Sequence, residues 1–306
     1  MGIPFSQLET WANQGATVSA KATHESIRCG LTHEKSPVKS LIESGKAKVY
    51  LQGSYKNSTN IRADSDVDVV VELTMTFGHN AHELPPEQKS AHDLAYSNAT
   101  YDWHEFRRDV IKALTLYYGA SSIDTTGNKS IKLLPAPGRL KADIVPVISF
   151  RRYNYFHGVG LHSAEEGIKL YHQQTNKPIV NYPEHHYQNG VDKNSNLRTG
   201  GVFKPTVRIF KNMRNHLIEK KALAKEMAPS YFLQSLIYNV PDPCFQANHS
   251  ATVYAVLKHL YENPVEGFVC QNEQHLLFGD TPEQWNVSNA HTTIMAFVKL
   301  WDNWGK

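Results

Sequence analysis

The sequence predicts an α+β fold, with strands and backing helices first and a helical lobe last, on three observations. Residues 50–73, YLQGSYKNSTNIRADSDVDVVVEL, read as a short apolar strand, a break at Gly53-Ser54 and a second strand with a Val-Val-Val run. Residues 101–118 set Trp103, Phe106, Val110, Leu114 and Tyr117 on one helical face, and Gly119 closes that helix. From Thr199 onward the pattern is helical. The 306 residues, 41% of them hydrophobic, suit one large domain or two intimately joined lobes.

In chain order, Leu8, Trp11, Val18, Ala22, Ile27 and Leu31 form an imperfect apolar stripe, so residues 4–31 are expected to be helical. Pro37 opens a short helix that ends near Gly45, and a strand follows over 47–52. Residues 74–97 are polar, hold Gly78, Pro85 and Pro86, and read as a loop with one helical turn after Pro86. Turn signals at Gly127-Asn128 and Pro137-Gly138 flank two more strands, and the second carries Asp143 amid Ala142, Ile144 and Val145. Residues 151–163, rich in Tyr, Asn, His and Gly, read as a loop, 167–173 as a short strand or helix, and 178–190 as a turn-rich crossover. Further on, Lys204, Arg208 and Lys211 share one helical face, opposite Val207, Phe210, Met213 and Leu217. Pro229-Ser230 starts a helix with Ser230 as its N-cap, an end suited to phosphate, and Tyr231 is adjacent. Ile294, Met295, Val298 and Trp301 mark the last helix.

The chemistry concentrates in residues 50–73. Asp66 and Asp68 alternate along a strand, so their carboxylates point the same way while Val67 and Val69 face the other side. Two carboxylates that close repel each other, and both stay charged cheaply only with a cation between them. Gly53 permits a tight turn and leaves the backbone open to a ligand. Ser54 can offer its hydroxyl and N–H to a phosphate. Asp143, a single acid in an apolar strand, is costly unless it is paired or binds a cation. It is either an edge residue facing water or the third acid of the same site. Together the Gly-Ser turn and the Asp-x-Asp strand make a place to hold a metal-bound nucleoside triphosphate.

The longer form, QGSYxNxTxIRxxSDVDVVV, resembles the signature of the polymerase-β-like nucleotidyltransferases. Within them it resembles the cGAS/DncV-like nucleotidyltransferases (CD-NTases) of bacterial CBASS antiphage defence, and the similarity continues through Tyr231. The resemblance implies a polymerase-β-like nucleotidyltransferase core, a mixed β-sheet backed by helices, with a C-terminal helical lobe and a long N-terminal helix spanning both. The domains are then 1–198 and 199–306. Asp66, Asp68 and Asp143 become the catalytic acids, holding two Mg²⁺ ions for which Mn²⁺ can substitute. Gln52, Gly53 and Ser54 form the nucleotide turn. The family places a triphosphate-binding lysine on the helix after Gly200-Gly201, for which Lys211 is the candidate, with Lys204 or Arg208 as a second contact. A Ser-Tyr pair such as Ser230-Tyr231 resembles the family's phosphate and base contacts, though Tyr231 reads alternatively as a core residue. Asn181 resembles an Asn of the uridine-preferring CdnE clade, presenting a donor and an acceptor to a base edge, or else it caps a turn.

The activity implied is condensation of two NTPs, UTP and/or ATP, with release of pyrophosphate. The product is a cyclic dinucleotide, such as cyclic UMP-AMP or cyclic di-UMP, that acts on a separate effector protein. Linear oligonucleotide synthesis, as in oligoadenylate synthetase or terminal nucleotidyltransferases, and a catalytically silent nucleotide-binding module are the alternatives. Composition narrows the partners. A net charge of +3 suits small anionic ligands and is too weak for a long nucleic-acid track. Cys29, Cys244 and Cys270 are scattered and odd in number, which suits a reduced cytoplasmic compartment and excludes a zinc or disulfide framework. No apolar run approaches membrane-span length. No membrane and no stable nucleic-acid partner are expected, and the chain is expected to be a monomer.

Overall fold

The computed structural model describes residues 2–15, 17–61, 66–281 and 284–306. Arg62 and Ser65 of the signature therefore lie outside the described residues. The chain opens with two helices, α1 (Phe5–Ala12) and α2 (Val18–Thr32), where one long helix was expected. The interruption has a packing cause. The Gly15 N–H donates to Asn60 O at 3.0 Å, and a Cβ at Gly15 would lie 2.9 Å from the Ile61 carbonyl carbon. A backbone that approaches another this closely cannot carry helical side chains.

Next come α3 (Lys39–Glu43), β1 (Ala47–Leu51), α4 (Gly53–Lys56), β2 (Val67–His79), α5 (Pro86–Ala95) and α6 (Trp103–Tyr118). The stretch 74–97 is thus no loop: β2 runs on to His79, and α5 is a ten-residue helix opened by Pro86. Asp102 and Glu105 form a capping box on α6, and Gly119 ends it at φ +83°. Then follow β3 (Ile123–Asp124), β4 (Ile131–Leu133), β5 (Ala142–Gly158), β6 (Leu161–Tyr171) and β7 (Pro178–Asn181). Residues 151–163, read as a loop, form the far end of the β5–β6 hairpin. Its Tyr153 and Phe156 are buried with Ala81 and Leu84 in a small core of their own. Residues 178–190 hold β7 and the start of α7 (Pro183–Lys193) rather than a run of turns. The chain ends in α8 (Phe203–Glu219), α9 (Ser230–Tyr238), α10 (His249–Glu262) and α11 (Val287–Asp302).

Two compact units result. The sheet unit is Thr17–Tyr55 with Asp66–Pro183, and the helical unit takes 1–16, 56–65 and Glu184–Lys306. The division after Pro183 falls ahead of the expected boundary at 198, because α7 packs with the helices that follow it. The two early segments in the helical unit were not foreseen. In the sheet unit the described strands form one mixed sheet in the order β1-β2-β5-β4-β3, with β6 on β5 and β7 on β6. β2 and β5 are parallel and the other pairs antiparallel. Helix α6 is pinned to the sheet by Trp103, whose buried indole N–H donates to Pro146 O at 2.7 Å. In the helical unit the expected apolar face of α8 (Val207, Phe210, Met213 and Leu217) is buried in one core with residues of α9, α10 and α11. Among the described residues no helix is long and apolar enough to cross a membrane.

Candidate active site

Parallel pairing of β2 with β5 brings the acids together. Asp68 lies beside Asp143 in the register, with Val67 beside Ala142 and Val69 beside Ile144. These four apolar neighbours are fully buried, whereas Asp68 and Asp143 are half-buried. Strand alternation thus anchors the row through its apolar members and turns the carboxylates the other way. Asp66 stands one residue before β2. Its carboxylate is hydrogen-bonded by the ammonium of Lys141. That bond, followed by the charges of Asp66, Asp143 and Asp68, holds the Lys141 pKa above its ordinary value. Lys141 thus pairs directly with Asp66 and lies within electrostatic reach of Asp143 and Asp68. The Val67 N–H fixes the backbone of Lys141 by donating to its carbonyl at 3.0 Å. Ser130 donates its hydroxyl to Asp143 Oδ1 at 3.2 Å.

The Gly-Ser turn is pressed against the same strand. Gly53 has φ +63°, and a Cβ there would lie 1.9 Å from Asp68 Oδ2. The Gln52 N–H donates to Asp68 O at 2.9 Å. Ser54, half-buried, lies in the first turn of α4. Further along β2, Glu72 is a structural acid, since Tyr50 and Ser149 donate to its two oxygens at 2.9 and 2.6 Å. At the end of β7 the Asn181 side-chain oxygen accepts from the N–H of the next residue, Tyr182, at 2.8 Å.

The other candidates lie in the helical unit. Lys211 is 2% exposed, and its Nζ donates to Thr59 O at 3.0 Å. The Arg208 guanidinium donates to Ala12 O at 2.5 Å and Ser58 O at 2.6 Å. Burial pushes the Arg208 pKa down to about 10, and burial followed by the Arg208 charge lowers that of Lys204. No acid among the described residues offsets either shift. The Lys204 ammonium stands 5.8 Å from the Tyr187 ring centroid. One expectation needs correcting: Pro229 occupies the N-cap of α9, and Ser230 is the first helical residue and makes no capping bond. Ser230 Oγ instead accepts from Arg214 Nη1 at 2.9 Å. Tyr231 accepts at its hydroxyl from Asn272 at 3.2 Å, and its ring stacks on His186 with centroids 5.2 Å apart. A groove of about 1130 Å³ opens between α8 and α11, lined by Leu217, Lys220, Met295 and Lys299 among others, and it holds none of these candidates.

Residues 188–302 match the family of the cGAS/DncV-like nucleotidyltransferase C-terminal helical domain. A cyclic UMP-AMP synthase of Rhodothermus marinus is 44% identical over 314 residues, covering 100% of each chain. The chain belongs to the cGAS/DncV-like nucleotidyltransferases. Another relative of this nucleotidyltransferase, the cyclic nucleotide synthase CdnE01 of Staphylococcus haemolyticus, is 40% identical across 99% of the present chain and 100% of its own. The structure of Rhodothermus marinus CdnE c-UMP-AMP synthase with Apcpp and Upnpp matches with a TM-score of 0.86, over 99% of this chain and 98% of that one.

The acid row of this nucleotidyltransferase suits a divalent metal. Asp66, Asp68 and Asp143 supply the hard carboxylate oxygens that Mg²⁺ prefers. The Lys141 ammonium stands where positive charge is wanted, and Gly53 leaves room at Asp68 that any side chain would fill. As they stand, no three metal-ligating side chains among the described residues are close enough to share one ion; Asp66 is turned onto Lys141. Sequence reasoning missed Lys141 and Ser130. Lys141 had a signal, since 141 and 143 alternate as 66 and 68 do. Ser130 had none, because its strand neighbour is fixed only by the sheet register.

Proposed function

We propose that this nucleotidyltransferase condenses two nucleoside triphosphates into a cyclic dinucleotide, releasing pyrophosphate at each of two steps, and that the product contains uridine, with cyclic UMP-AMP the favoured identity. The observation that carries this is the row Asp66, Asp68 and Asp143 beside the Gly53-Ser54 turn, in a chain that a cyclic UMP-AMP synthase matches from end to end. Asp66, Asp68 and Asp143 would hold the divalent ions, Mg²⁺ or Mn²⁺. Bound there, such ions supply charge neutralisation for the triphosphate and lower the pKa of the attacking ribose hydroxyl.

The protein's own part is positioning. Gly53 lets the turn reach the acids, and Ser54 offers a hydroxyl and an N–H to a phosphate. Lys211 and Ser230 are the helical unit's candidate phosphate contacts, with Lys204 and Arg208 adding positive charge along α8. Tyr231, with one face already on His186, is the candidate base contact, and Asn181 the candidate reader of uracil. The product would then act on a separate effector in antiphage signalling. The test is mass spectrometry of products from an equimolar mixture of four NTPs with Mg²⁺. A phosphatase-resistant cyclic dinucleotide containing uridine is expected. A phosphatase-sensitive ladder would mean linear synthesis, and tight NTP binding without conversion would mean a silent module.

A further inference from the structure

Lys141 has no part in the reaction described so far, yet its ammonium already sits on Asp66, the first of the three acids. We propose that Lys141 is a positioning residue of the active site: in the nucleotide-free enzyme its ammonium neutralises the acid row and orients Asp66, and it must leave Asp66 before a divalent ion can bind. The proposal rests on the reading of the three acids as a metal site.

Three anionic side chains in one cluster repel, and a folded chain that gathers them without a ligand needs a counter-charge. Lys141 supplies it through a hydrogen bond to Asp66 Oδ2. Its place is dictated by the backbone. It stands immediately before β5, two residues ahead of Asp143, and its carbonyl is held by the N–H of Val67, the residue after Asp66. The arrangement is built to be reversible. The Lys141 and Asp66 side chains are 38% and 44% exposed, and ion pairs that wet contribute little. Lysine is a compact charge on a flexible stem, able to swing aside where the flat, forked arginine would grip the carboxylate with two bonds. An ammonium seated on Asp66 also accounts for acids that share a register row and yet are not gathered tightly enough to hold a metal as they stand.

Titration of Mn²⁺ alone into the nucleotide-free protein, followed by electron paramagnetic resonance, tests this with wild type, Lys141→Met, Lys141→Arg and Asp66→Asn. The expected result is Mn²⁺ binding about fivefold tighter in Lys141→Met, the upper end for loss of a competing exposed pair. Lys141→Arg should bind no more tightly than wild type. The melting temperature of Lys141→Met should fall in chelator and recover with Mn²⁺, whereas loss of a merely structural lysine would lower it under both conditions. Should Lys141→Met not fold, Lys141→Gln, which keeps a donor for Asp66, gives the same readout. Equal or weaker Mn²⁺ binding in the neutral variant, with binding lost in Asp66→Asn, overturns the proposal and leaves the metal site standing. No Mn²⁺ bound by wild type or by the neutral variant overturns the metal site and the proposal with it.

Discussion

Gly53 shows how one missing side chain sets this site. At φ +63° most residues are strained, and a Cβ there would meet Asp68 Oδ2 at 1.9 Å. Gly53→Ala is therefore expected to lose about 1–3 kcal/mol of stability in urea unfolding. It should also lose about a hundredfold in NTP turnover, the scale of an ångström's misplacement of a catalytic group. Turnover within a few-fold of wild type would mean that Asp68 need not lie against the turn. The acids and Gly53 were readable from sequence because each announces itself locally: the acids by alternation in a strand, the glycine by breaking one. The hydrogen bond of Lys141 to Asp66 joins residues far apart in the chain, and only the pairing of β2 with β5 makes it.

At the level of elements, local patterns carried the amphipathic helices and failed where tertiary packing decides. The apolar faces of α6 and α8 follow a helical period and were read correctly, apart from Tyr117, which the structure leaves 46% exposed. The outer part of the β5–β6 hairpin, residues 151–163, was read as a loop because it is polar, and its buried Tyr153 and Phe156 are too few to make a pattern. Helix α7 was concealed by the turn formers around it, and it carries a polar core residue. His186 on α7 accepts at Nε2 from the Gln234 amide at 3.1 Å, while Gln234 also donates to Gln271 at 3.0 Å and accepts from Thr59 at 3.1 Å. The ring is neutral, and burial pushes its pKa down to about 4 from 6.5. Protons therefore bind the unfolded chain in preference between pH 6.5 and 4. The stability from a neutral His186 is fully present above pH 6.5 and is lost as the pH falls toward 4, by up to about 3 kcal/mol. Urea unfolding across that window should show a steeper acid loss in wild type than in His186→Gln. Parallel curves would contradict the assignment.

Across the whole molecule, the chain leaves the sheet unit after Tyr55 and returns at Asp66. The excursion joins the nucleotide turn to the first acid, and in the helical unit it is tied down by side chains of α8. Ser58 O accepts from Arg208 and Thr59 O from Lys211. Two of the three cations expected on α8 thus also hold the connecting segment in its unit. No sequence pattern announced this, since carbonyl acceptors leave no mark on residue identity. The fold class and the acid row were legible, whereas the partition of the early segments between the units was not. Everything functional depends on Asp143 acting with Asp66 and Asp68. Pyrophosphate release from mixed NTPs with saturating Mg²⁺ measures this most directly. Asp143→Asn, with its melting temperature near that of wild type, should fall by more than the roughly 10–100-fold that losing an outer-shell partner of a metal costs. Release at the wild-type rate in a folded Asp143→Asn protein would contradict the account.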